Sequence, residues 1–136
     1  FLGASLGIHW SLSLGAPVLP ARQIPSLVGP DGAFLPFPEL RRRFLTGRYD
    51  PAQLRAELTA QYERFRELAG EPDFWNTHQN VHVAPKVFGL FVALAGELGI
   101  GKMRSHRRIT VPRRGSAARY HVRHPIYWLK GQLIAR

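Results

Sequence analysis

No cysteine occurs in the 136-residue chain. That excludes disulfides and thiolate-held metal sites. No apolar run approaches the roughly 18 residues needed to cross a membrane as a helix. No charged segment leads into an apolar one at the start, so no signal peptide is read and the cytoplasm is the expected location. The first residue is Phe1, from which the expectation is that the natural N-terminus is missing or was removed. Glycine-rich phosphate loops, a Gly-x-Ser-x-Gly elbow and a thiol nucleophile are all absent, which argues against three common chemistries. Acid is the other shortage. Residues 101–136 carry ten Lys and Arg and no Asp or Glu, whereas residues 1–100 carry nine of each sign. Such a segment is read as a solvated surface, or as a weak contact for polyanions or a membrane surface, with no specific nucleic acid implied.

What is present suits a globular core, with 45% hydrophobic residues, 13 glycines and 11 prolines spread through the chain. Residues 6–14 alternate: Leu6, Ile8, Trp10, Leu12 and Leu14 on one face, and Gly7, His9, Ser11 and Ser13 on the other. Period-two alternation predicts a strand. Residues 15–36 read as a long loop, with a turn at Pro30-Asp31-Gly32 and apolar anchors that favour order. Pro38 and Gly47 bracket a short helix. Asp50-Pro51-Ala52-Gln53 starts a longer one, with Asp50 as cap and Gln53 completing a capping box. Its apolar face is Leu54, Leu58, Tyr62, Phe65 and Leu68. A buried strand over 73–76 and a nearly all-apolar, deeply buried helix over 87–98 follow. A further strand is expected over 100–104, and a last helix from about Ser116. Strands alternating with helices predict an α/β fold with a parallel sheet, read here as one domain over 1–136. About three strands are too few for a closed barrel and would leave edges exposed.

Six histidines are the chain's notable polar resource. His9 lies on the small, polar face of the first strand. His78 and His82 follow the strand at 73–76, and ligands of parallel α/β folds gather at the carboxyl ends of strands. Converging imidazoles would suit a zinc-like ion completed by a carboxylate. From spacing alone, metal ligands and hydrogen-bonded loop histidines are equally good readings of His78 and His82, because no Glu follows the first of them as in zinc proteases. His106, His121 and His124 sit among arginines, where positive charge opposes a cation. Trp10 and Trp75 could stack on a sugar, but both fit core positions. Asp31 is read as a turn residue, Asp50 as a cap, and Asp73 as too far from its strand's carboxyl end, so no catalytic carboxylate is assigned.

Gly7-Ile8-His9-Trp10-Ser11-Leu12 followed by Gly15-x-Pro17-Val18-Leu19 resembles the metal-binding strand and loop of the YdjC-like carbohydrate deacetylases. Ile24 to Val28, Asp31-Gly32-x-Phe34 and Leu54 to Phe65 are similar to that family's next loop and helix. Asn76-Thr77-His78-Gln79-Asn80-Val81-His82-Val83-x-Pro85 resembles its second metal motif. The resemblance runs through most of residues 6–104.

It implies a portion of a (β/α)-barrel-like deacetylase fold. It also implies a divalent ion, magnesium by the family with zinc as the alternative, held by an Asp and two histidines that map to His9 and His78. The Asp belongs to an Asp-Asp-Phe-Gly strand that would precede Phe1, and the family's last strands have no counterpart. Asn76 stands where many members have Asp, and Asn80 where many have His. The implied reaction removes N-acetyl groups from amino sugars or their oligomers. His82 is the expected proton donor or substrate contact, and Asn80 and Trp10 are expected at the substrate. Two other readings compete: a basic anion- or membrane-surface-binding module, and a catalytically inactive truncated relative.

Overall fold

A computed structural model describes residues 5–104 throughout, together with the backbone of 109–112 and 119–122. The chain divides into two compact units, Phe1–Met103 and Arg104–Arg136.

In the first unit, strand β1 (Gly7–Trp10) pairs in parallel with β2 (Phe74–Thr77), with His9 opposite Asn76 and Trp10 opposite Thr77. Between them run helix α1 (Phe37–Thr46) and helix α2 (Pro51–Ala69). A 3₁₀ segment, His78–Val83, leads from β2 into helix α3 (Pro85–Glu97). This is the expected mixed α/β order. The first strand ends sooner than its alternation suggests. Ile8, Trp10 and Leu12 are buried and His9 faces out, but Leu14 is 67% exposed because the chain has already left the sheet. Gly7 lies opposite Phe74, whose ring occupies the space that a β-carbon would need. The strand expected over 100–104 reduces to one bridge between Trp75 and Met103, supported by the Trp75 N–H on the Lys102 carbonyl at 3.0 Å.

The core gathers on the inner faces of β1 and β2. Trp10, Trp75 and Phe91 form an aromatic cluster with centroids 5.5–6.0 Å apart, and the Trp10 indole N–H donates to the Leu58 carbonyl at 3.0 Å. The bond lets a polar tip be buried at no loss of partner. Helix α3 was expected to be deeply buried. Instead only the face bearing Val87, Phe91, Leu94 and Ala95 is covered, and Val92 is exposed among the described residues. On α2, Leu54, Leu58 and Tyr62 are buried as the periodicity requires, whereas Leu68 is exposed in the last turn. No helix among the described residues is long and apolar enough to cross a membrane.

Asp50 caps α2, accepting from the N–H groups of Ala52 (2.8 Å) and Gln53 (3.4 Å). Gln53 does not close the reciprocal box. The Asp50 N–H goes to Ser26 Oγ (3.1 Å), while Gln53 Oε1 accepts from the Ser26 N–H (2.9 Å). The capping residue thus joins helix to loop. Asp50→Ala should lower stability by about 1 kcal/mol, read as a lower denaturant midpoint at unchanged slope.

In the second unit, β3 (Ile109–Pro112) and β4 (Arg119–Val122) pair antiparallel. The helix expected from about Ser116 is corrected at 119–122, which are extended and paired; its remaining residues lie outside those described. An all-parallel reading fails here too, because two short strands close in sequence pair most simply by reversing direction. The side chains of the basic segment after Arg104, with His106, His121 and His124, lie outside the described residues.

Candidate metal and substrate site

Parallel pairing brings the carboxyl ends of β1 and β2 to one edge. His9 projects from the outer face of β1, and His78 is the first residue beyond β2. Their rings meet edge to face, with His9 Nε2 3.4 Å from His78 Nδ1. The other nitrogen of His9, Nδ1, donates to the Asn76 carboxamide oxygen. That bond places the His9 proton on Nδ1 and leaves the Nε2 lone pair facing His78. Asn76 therefore supplies an acceptor for His9. As an amide it brings no negative charge.

The donor set fits a cation in chemistry and in spacing. Two imidazole nitrogens on one tetrahedral zinc-like ion, each at about 2.0–2.1 Å, lie about 3.3–3.4 Å apart. With a proton between them, the same approach is a hydrogen bond. Among the described residues no third His, Asp or Glu joins the pair.

The carboxylates are engaged elsewhere. Asp31 accepts from the Ala33 N–H in its turn, and Asp73 accepts from the Leu6 N–H at the opposite, amino end of the sheet. Glu57 is fully buried, accepting from the N–H groups of Val18 and Leu19 at 3.0 Å each and from Gln61 Nε2 at 2.8 Å.

Two residues expected at the substrate are buried. Trp10 is 0% exposed, its ring enclosed by Trp75 and Phe91. His82 is also 0% exposed: Nδ1 lies 2.5 Å from Thr77 Oγ1, and the ring packs edge-on against Trp75. It serves as a core residue that ties the end of the 3₁₀ segment back to β2, and it does not reach the face shared by His9 and His78. Asn80 is half-buried, in a left-handed backbone (φ 54°) that directly follows Gln79 (φ 53°). Consecutive left-handed residues with side chains are sparsely populated and persist only where their surroundings hold them.

Sequence patterning did not bring out the residues that hold the loop after β1. Gln53, Glu57 and Gln61, spaced four apart on α2, accept from the backbone N–H groups of Ser26, of Val18 and Leu19, and of Ser11. Gln61 also donates to the Ser11 carbonyl at 2.7 Å. Backbone N–H groups of a loop packed against a helix must find partners, and this ladder supplies them. The signal was legible: polar residues at i, i+4 and i+8 run beside the apolar stripe of an otherwise ordinary amphipathic helix. A cleft of about 390 Å³ opens beside β1, walled by His9, Ser11, Leu14, Val18, Gln61 and Arg64 among others.

A family model described as YdjC-like protein matches residues 2–134. A carbohydrate deacetylase of Homo sapiens is 43% identical over 96 residues, covering 69% of this chain and 30% of that protein. A chitooligosaccharide deacetylase of Escherichia fergusonii is 30% identical over 101 residues, covering 72% of this chain and 37% of its own length. The chain thus spans about a third of the length of the curated relatives it matches. Among solved structures, an Enterococcus faecalis V583 protein assigned to cellobiose-phosphate cleavage superposes with a TM-score of 0.61 at 29% identity, covering 69% of this chain and 35% of that one.

Proposed function

Because the chain belongs to the YdjC-like family, we propose that it serves in hydrolysis of N-acetyl groups from amino sugars or their oligomers, with a divalent ion held in part by His9 and His78. The observation that carries this reading is the approach of their ring nitrogens to 3.4 Å at the shared carboxyl edge of β1 and β2. A (β/α)-barrel-like whole is the fold proposed around that parallel pair.

A bound divalent ion supplies Lewis acidity toward the acetamide carbonyl and lowers the pKa of a water. The residues of this chain do the rest of the holding. His9 offers Nε2 while Asn76 keeps the proton on Nδ1, and His78 offers Nδ1. The remaining positions fall to donors beyond this pair, a carboxylate among them by the family pattern. No carboxylate among the described residues reaches the pair, so the general base is not assigned to them. Magnesium follows from the family resemblance, whereas two imidazoles are better partners for zinc. A substrate amide fits an open edge of this kind because it must reach ion and water together.

This chain alone is expected to be inactive, whereas the chain joined to an upstream Asp-Asp-Phe-Gly strand should release acetate from N-acetylated amino-sugar oligomers, lose that activity on chelation, and regain it on addition of a divalent ion. Adding magnesium and zinc separately identifies the ion. Acetate release unaffected by exhaustive chelation would overturn the metal-dependent reading.

A further inference from the structure

Strand pairing fixes where the two histidine-bearing segments begin, but not how closely His78 approaches His9. His9 lies within β1, whereas His78 lies past the end of β2 in a segment whose next two residues are left-handed. That segment is tied at its far end by the contact between His82 and Thr77. On the other side, the chain leaving β1 is clamped at Ser11, whose N–H and carbonyl both bond Gln61. A direct hydrogen bond crosses between the two: Ser13 Oγ donates to Gln79 Oε1 at 2.7 Å.

We propose that Ser13 and Gln79 are positioning residues, a clip that sets the separation of the His9 and His78 imidazoles and so tunes metal affinity. The inference rests on the metal reading above. The geometry is specific to the task. Gln79 is adjacent to His78, and its left-handed backbone (φ 53°, ψ 20°) directs the start of the 3₁₀ segment. Without a partner for the Gln79 side chain, that sparsely populated conformation loses one of its restraints, and the His78 ring moves with the backbone that carries it. Ser13 is well suited as the fixed end, because it follows the clamped Ser11 and is half-buried. Partners that orient metal-binding histidines affect affinity without touching the ion.

The test uses the full chain and Co2+ as probe, with affinity by calorimetry and site geometry by visible absorption. Ser13→Ala and Gln79→Ala should each weaken Co2+ binding about three- to tenfold, the range of one net hydrogen bond. The double variant should lose no more than either single one, since both remove the same bond. Ser13→Thr keeps the hydroxyl and should bind like the wild type. Thermal unfolding of all four should be unchanged, which separates positioning from loss of fold. Wild-type affinity in Ser13→Ala and Gln79→Ala, or losses that simply add, would overturn the clip, while loss of Co2+ in His9→Ala would leave the metal reading standing. A wild-type chain that binds no Co2+ would overturn both.

Discussion

With an upstream Asp-Asp-Phe-Gly strand supplied, His9→Ala and His78→Ala should each remove most bound metal and lower acetate release on the order of a thousandfold. Metal-assisted hydrolysis draws several kcal/mol from charge stabilisation at the ion, and each 1.36 kcal/mol is about tenfold in rate. The fold should survive both changes, since His9 is exposed and His78 half-buried. His82→Ala is the informative contrast. It removes a buried ring packed on Trp75 and Phe91 and tied to Thr77. Its main effect should be a stability loss of about 2–3 kcal/mol, by the mechanisms of cavity formation and a broken buried bond. Metal content, acetate release and denaturant midpoint measured side by side separate the two classes. Full occupancy and activity in either His9→Ala or His78→Ala would remove these residues from the metal site.

Glu57→Ala should be the most destabilising single change to the loop after β1, by about 3 kcal/mol. A buried carboxylate here accepts from two backbone N–H groups and a glutamine amide. Charge-assisted bonds are each stronger than neutral ones, and truncation leaves donors unsatisfied. Glu57→Gln keeps one acceptor oxygen but turns a carboxamide NH2 toward a donor, so it should fall between wild type and alanine. The denaturant midpoint at constant slope reads the loss. An unchanged midpoint in Glu57→Ala would mean that water or another group replaces the carboxylate without cost.

Both sets of predictions join features that were legible at different levels. Alternation in residues 6–12 settles which side of β1 is core, because side chains on a strand alternate strictly and only Ile8, Trp10 and Leu12 can be buried together. Asp50 with Pro51 settles where α2 starts, because orphan N–H groups and a fixed proline φ are local matters. The local motifs around His9 and His78 single them out as candidates in the sequence, and the structure brings their rings together.

Tertiary structure decided what depends on distant partners. His82 has the same spacing whether it lines a site or fills a core, and only its packing against Trp75 and Phe91 places it inside. Trp10 is likewise a core residue because α3 brings Phe91 over it. The approach of His9 to His78 spans 69 positions in sequence. It needs the parallel register of β1 and β2, which no local pattern encodes. The Gln53, Glu57 and Gln61 ladder is helical spacing by itself, and it becomes a loop anchor only once residues 11–26 fold back over α2 and bring backbone N–H groups within reach. Local rules act through a residue's own backbone and neighbours, whereas burial, register and hydrogen-bond partners are set by chain segments that meet only in the folded state.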